Sequence, residues 1–237
     1  MSESSPDLHL VVGNRLYSSW SLRASILLRA FAIPFRETVI PMYRPDTRER
    51  MLAYGPTGKV PVLIDGEITV WESLAIMEHV ADRFPERDAW PRDPAARAHA
   101  RSAASEMHAG FTALRSACPM NLTATFEPRD RGEGVAADVV RLIELWREAR
   151  SRFGGGDDFL YGAFGAADAM YAPVVSRLHT YAVTVPDDVR AYMDAVLGHP
   201  AFRSWRDDAF EEPWRLRHYE DGETVTRWLH EPPERVT

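Results

Sequence analysis

Apolar positions recur along the first third of the chain with two different periods. Leu8 to Val12 is a strand-length run suited to burial, whereas Trp20, Ala24, Leu27, Leu28 and Phe31 return at helical spacing and predict a first helix that ends before Pro34. Phe35 to Pro41 reads as a second strand and Asp46 to Tyr54 as a weak, charged helix. A strand opened by Pro61 follows, then a short one at Ile68 to Val70, then a helix with Leu74, Met77, Ala81 and Phe84 on its apolar stripe. The predicted order is βαβαββα, and the proline-rich stretch from Pro85 to Pro94 reads as a linker.

Beyond the linker the pattern is helical throughout. Met107, Phe111, Leu114 and Cys118 form one stripe stopped by Pro119, and Val135, Val139, Leu142, Ile143 and Trp146 form another. Gly154-Gly155-Gly156 separates the next helix, which opens at Gly165-Ala166-Ala167-Asp168 and runs through Tyr171, Val174 and Leu178. At that start Asp168 supplies half of a capping box, because Gly165 carries no side-chain oxygen. Two shorter helices are expected at Asp187 to Leu197 and Pro200 to Phe210. The division is therefore an α/β domain over residues 1–85, a linker over 86–93, an all-helical domain over 94–210 and a tail over 211–237, whose Trp214 and Trp228 imply packing against the body.

Composition narrows the functional classes. The 237 residues are 45% apolar and 27% charged, ordinary for a globular protein. A net charge of −7 argues against a nucleic-acid-binding surface. No apolar run approaches the ~20 residues of a membrane span. Met1 to Asp7 is polar and acidic, without a basic-then-apolar targeting pattern, which points to the cytoplasm. The eight histidines include no pair at metal-binding helical spacing, so no metal is expected. Gly55-Pro56-Thr57-Gly58-Lys59 is an incomplete phosphate loop, with Ala53 at the first glycine position and Val60 after the lysine. The single cysteine, Cys118, excludes an internal disulfide and reads as a small buried apolar residue.

The segment from Tyr54 to Leu63, followed by Asp65-Gly66 and Trp71-Glu72-Ser73-Leu74, carries the candidate chemistry. A proline cannot donate to a strand ladder, so Pro61 favours an edge; if cis, it turns the backbone of Val60 outward, where a peptide-like ligand can pair with it. Glu72 and Ser73 stand at a helix start, where free amides favour a ligand carboxylate. Together with Tyr17-Ser18-Ser19-Trp20-Ser21-Leu22-Arg23 after the first strand, this stretch resembles the glutathione transferases, most closely zeta-type enzymes with a Ser-Ser-x-Ser-x-Arg start. The resemblance covers about residues 8–210 and implies a thioredoxin-like domain followed by a helical one. It also implies glutathione as co-substrate, held by Ser18, Lys59, Val60, Pro61, Glu72 and Ser73, and a homodimer acting on a small electrophile. The match departs at Trp20 and Lys59, where zeta enzymes commonly carry Cys and Gln, so it implies the family's thiol chemistry rather than the zeta substrate, an isomerisable maleyl compound.

A thioredoxin-like domain doing redox chemistry itself would need a Cys near the end of its first strand. Ser18 and Ser19 stand there instead, so the sulfur must come from a bound thiol. Helix capping explains such serines equally well from local signals alone. The resemblance selects Ser18 as the thiol partner, with Tyr17 as rival because other transferase classes use tyrosine. A second-substrate pocket is expected between the domains, formed by Trp20, Met107, Phe111, Arg115, Met120 and Asn121, although Met107 and Phe111 equally fit a helix core stripe. The reading is a glutathione transferase. Its alternatives are a glutathione-dependent isomerase or peroxidase and a non-catalytic transferase-like interaction module.

Overall fold

The computed structural model describes residues 8–230; the segment examined for targeting signals, Met1 to Asp7, and the last part of the tail lie outside the described residues. Four strands form one sheet in the order β2-β1-β3-β4, comprising β1 (Leu8–Val12), β2 (Arg36–Val39), β3 (Val62–Asp65) and β4 (Ile68–Trp71). β1 pairs parallel with β2 and antiparallel with β3, and β3 pairs antiparallel with β4. The period of two sorts β1 onto two faces. Leu8, Leu10 and Val12 join the main core with α1 (Ser19–Ala30) and α3 (Ser73–Arg83), while Val11 meets Val62 and Met51 of the short helix α2 (Thr47–Leu52). Helices on both faces explain why all five residues of β1 are buried.

The expected βαβαββα order is present, with one difference at β3. It lies inside the sheet rather than at an edge, paired on both sides, and its ladder begins at Val62 against Val11 and Trp71. Pro61 is placed one residue before the ladder, where its missing N–H costs no pairing. The Val60–Pro61 peptide bond is cis.

The second half is helical except for a short strand at Ala124–Phe126: α4 (Pro94–Ala109), α5 (Thr112–Ala117), α6 (Glu133–Phe153), α7 (Ala166–Thr180), α8 (Asp187–Gly198) and α9 (Pro200–Phe210). That strand departs from the helical pattern expected throughout residues 94–210 because its partner strand comes from the tail. α7 is the axis of this half, buried at nearly every position and packed against α1, α4 and α8. The segment before α4 is pinned rather than loose, with Trp90 5% exposed and the carbonyl of Ala89 accepting from the amide of Ala166 at 2.8 Å. The stripe expected from Met107 to Cys118 is broken in two. Gly110 caps α4 in an extended conformation and Phe111 takes φ +55°, so α5 starts anew at Thr112.

The described part of the tail packs on the body. Glu212 accepts from the amide of Arg15, Leu216 is 5% exposed, and β6 (Val225–Trp228) pairs antiparallel with β5 (Ala124–Phe126) in a second small sheet. Trp214 and Trp228 are half-buried.

Candidate functional site

The start of α1 opens the site. Leu8 to Val12 feeds the sheet, the chain turns at Asn14, and the carbonyl of Asn14 accepts from the amides of Tyr17 and Ser18 at 3.1 and 2.8 Å. Ser18 is the N-cap of α1: its Oγ accepts from the amide of Ser21 at 3.4 Å and bonds the Ser21 hydroxyl at 2.7 Å, and Ser21 Oγ accepts from the amide of Gly13 at 3.0 Å. Ser19 takes a different partner, its Oγ accepting from Arg177 Nη2 of α7 at 3.1 Å. The amide of Trp20, in the first turn, has no intrahelical acceptor.

Two cavities meet at Trp20. The larger, about 470 Å³, is walled by Tyr17, Ser18, Ser19, Trp20, Met42 and Tyr43 from the α/β half, by Thr112, Arg115, Ser116, Pro119, Met120 and Arg177 from the helical half, and by Tyr219 of the tail. The smaller, about 200 Å³, is walled by Trp20, Thr57, Lys59, Val60, Pro61 and Glu72. Glu72 holds φ +69° without a side-chain cap bond, a left-handed conformation that costs a non-glycine residue about 1–3 kcal/mol. Ser73, the first residue of α3, is fully buried, and its hydroxyl oxygen has no partner. The strain and the unpaired hydroxyl coincide at a helix start, which suits a ligand carboxylate.

The "Glutathione S-transferase, N-terminal domain" family matches residues 17–83, and the "Glutathione S-transferase, C-terminal domain" family matches residues 129–208. The chain belongs to the glutathione S-transferase family. Among its relatives, a maleylacetoacetate isomerase of Pseudomonas aeruginosa is 27% identical over 204 residues, covering 78% of this chain and 90% of that protein. A probable maleylacetoacetate isomerase of Caenorhabditis elegans is 24% identical over 199 residues, covering 76% and 92%. A Burkholderia glutathione transferase homologue solved with bound glutathione shares the fold at a TM-score of 0.68 and 20% identity, covering 87% of this chain and all of that one.

Within this transferase the expected residues separate into two groups. Ser18 and the second-substrate candidates Trp20, Arg115 and Met120 face the larger cavity, and Lys59, Val60, Pro61 and Glu72 face the smaller; Ser73, next to Glu72 in the chain, is fully buried and walls neither. Met107, Phe111 and Asn121 do not wall either cavity. Met107 is fully buried against Arg23, whose Nη2 lies 3.3 Å from its sulfur. Phe111 is 6% exposed in the core, and the fully buried Asn121 is occupied inside its own loop, its Oδ1 accepting from the amide and hydroxyl of Thr123 at 2.9 and 2.6 Å. The break at Gly110 and Phe111 interrupts the continuous helix expected to run from Met107 and Phe111 to Arg115.

Tyr17 is 3% exposed, and its oxygen accepts from the amide of Leu216 at 3.2 Å. Burial pushes its hydroxyl up to about 12. Cys118 is fully buried, and burial pushes its thiol up to about 11. His108 lies 3.9 Å from Glu72, edge-on to Trp20, and is held below its usual range by burial and then by the charge of Arg23. Among the described residues no group of three or more His, Cys, Asp or Glu side chains is arranged to hold a metal, and no helix is long and apolar enough to cross a membrane.

Sequence reasoning missed Arg177, Ser19, Tyr43 and Tyr219 as cavity walls. Arg177 had one visible signal, a cation inside the otherwise apolar run of α7, where an unpaired charge is rarely buried. The tail residue Tyr219 had none, since its bond to Tyr43 at 3.1 Å joins positions far apart in the chain.

Proposed function

We propose that this protein binds glutathione across the smaller cavity and the start of α1, and transfers its sulfur to a small electrophile in the larger cavity. The observation that carries the reading is the pair of cavities sharing Trp20, one walled by Val60 and by Glu72, the chain neighbour of the unpaired Ser73 hydroxyl, the other by Ser18 and Ser19. The backbone of Val60 pairs with the tripeptide, and Glu72 and Ser73 hold its γ-glutamyl ammonium and carboxylate. The thiol sits at the N-terminus of α1. There the Ser18 hydroxyl, which donates to Ser21 Oγ at 2.7 Å, redirects its proton to the sulfur while the amide of Gly13 still bonds Ser21 Oγ, and first-turn amides add positive potential. Lowering the thiol pKa from ~8.5 to ~6.5 raises the thiolate fraction at neutral pH from ~3% to ~75%. The proton leaves to solvent, and the remaining acceleration comes from holding the electrophile beside the sulfur.

Calorimetry tests the binding half. Glu72→Ala and Ser73→Ala are each expected to weaken glutathione about tenfold or more, the worth of a charge-assisted hydrogen bond; unchanged affinity in both variants rejects the site. Ultraviolet titration of the bound thiol tests the chemical half, with Ser18→Ala expected to raise its pKa and Tyr17→Phe to change it little. Ser19 is a second reading for the thiol partner, favoured by the Arg177 bond that polarises its hydroxyl. A larger shift in Ser19→Ala than in Ser18→Ala assigns the role there.

Glutathione-dependent isomerisation is the competing reaction, and the names of the two isomerase relatives favour it. Mass spectrometry of products decides, because conjugation adds glutathione to the product and isomerisation returns it. We place the enzyme in the cytoplasm as a homodimer. The dimer is supported by the exposed Ile68 and Trp71 on edge strand β4, and light scattering that returns a monomer mass rejects it.

A further inference from the structure

Two guanidinium groups lie over the ring of Trp20, with Cζ of Arg23 4.1 Å and Cζ of Arg115 4.5 Å from its centroid. A third, Arg177, reaches Ser19 with Nη2. Arg23 and Arg177 are 0% and 4% exposed, and in both Nε and Nη1 have no hydrogen-bond partner. Arg115 bonds only carbonyls, chiefly that of His108 at 3.0 Å. Other shielded arginines of this protein have carboxylates: Arg15 pairs with Glu37 and Glu212, Arg131 with Glu223, and Arg215 with Glu220. Among the described residues no carboxylate forms an ion pair with Arg23, Arg115 or Arg177. Burial and then mutual repulsion hold Arg23 below its ordinary range, and the same causes push Arg177 down to about 10.

Leaving buried cations unpaired is costly, and the cost is offset where an incoming anion supplies the missing partner. Arg115 and Arg177 both wall the 470 Å³ cavity, and Arg23 adds charge from its place against the ring of Trp20. We propose, resting on the transferase reading above, that the second substrate is an organic acid whose carboxylate docks on Arg115 and Arg177 while its electrophilic carbon faces the sulfur beside Ser18 and Ser19. With 4-(chloromethyl)benzoate as probe, the thiolate attacks the benzylic carbon and an S–C bond forms. The C–Cl bond breaks with its electron pair, chloride leaves, and the carboxylate takes no part beyond anchoring.

Glutathione brings carboxylates of its own, so the test holds them constant. Calorimetry compares glutathione, S-benzylglutathione and S-(4-carboxybenzyl)glutathione on the wild type, Arg115→Gln and Arg177→Gln. The carboxybenzyl conjugate is expected to bind the wild type about tenfold or more tightly than the benzyl conjugate, with the ratio falling towards one in each variant. Equal binding of the two conjugates to the wild type overturns the proposal, as does an advantage that survives both substitutions. Binding of glutathione and S-benzylglutathione without a carboxylate advantage removes only this inference. Failure of all three compounds to bind removes the transferase reading beneath it. Should Arg177→Gln fail to fold, the wild-type ratio and Arg115→Gln still decide.

Discussion

Cys118 illustrates how burial settles the chemistry of a single residue. Its side chain is fully enclosed and its thiol is pushed up to about 11, so it is protonated at neutral pH and closed to reagents. Iodoacetamide at neutral pH is expected to leave the native protein unlabelled and to label it after denaturation, as read by mass spectrometry; rapid labelling of the folded protein contradicts this. The serines at the start of α1 show the opposite case, in which one local pattern leaves room for both capping and the proposed chemistry. Ser18 caps the helix through the amide of Ser21 while standing on a cavity wall, so the capping and thiol-binding readings are compatible rather than exclusive.

At the scale of elements, the start of α7 is held by Asp168. Its Oδ2 accepts from the amide of Gly165 at 3.0 Å, and its Oδ1 from the amide of Leu160 and the hydroxyl of Tyr192, both at 3.1 Å. Only the Gly165 bond belongs to the half capping box legible in the sequence; the other two come from a preceding loop and from α8. Complete burial pushes the carboxyl up to about 6 against these donors. A folded-state pKa above the unfolded value contributes stability that is complete below about pH 4 and lost as pH rises through about 6. Relative to Asp168→Asn, wild-type stability is therefore expected to fall by up to about 3 kcal/mol over that window. Urea titrations at several pH values measure the gap, and a gap independent of pH contradicts the raised carboxyl.

At the scale of the whole molecule, one buried cluster runs from Leu8 and Leu10 in the sheet through α1 and α7 to Trp205 and Leu216. Because α1 and α7 pack directly against each other within that cluster, circular dichroism and tryptophan fluorescence are expected to report one coincident unfolding transition. Two separated transitions contradict this. The tail is tied in by Glu223, whose carboxylate meets Arg131 at 2.8 Å with side chains 6% and 4% exposed. Glu223→Gln leaves a buried guanidinium without its counter-charge and is expected to cost about 3–5 kcal/mol in chemical denaturation. A loss below about 1 kcal/mol places that pair at an exposed rim instead.

The sequence by itself determined the element order of the first half, because strand and helix periods are written in local spacing: Leu8 to Val12 and the stripe of Trp20 to Phe31 need no partner to be read. It also marked the Ser18 to Arg23 and Val60 to Ser73 segments as candidates, since their residues lie close together in the chain. It misread the helix across Gly110, because a single extended residue breaks a stripe without altering its spacing. Only the tertiary structure decided the rest. The pairing of β5 with β6 joins positions about a hundred residues apart, and Arg177 comes to Ser19 across 158 residues of chain. Such meetings depend on how α7 packs against α1, which no local period encodes. The concentration of positive charge at the cavity exists only because Arg115 of α5 and Arg177 of α7 meet on its wall and Arg23 of α1 lies against Trp20.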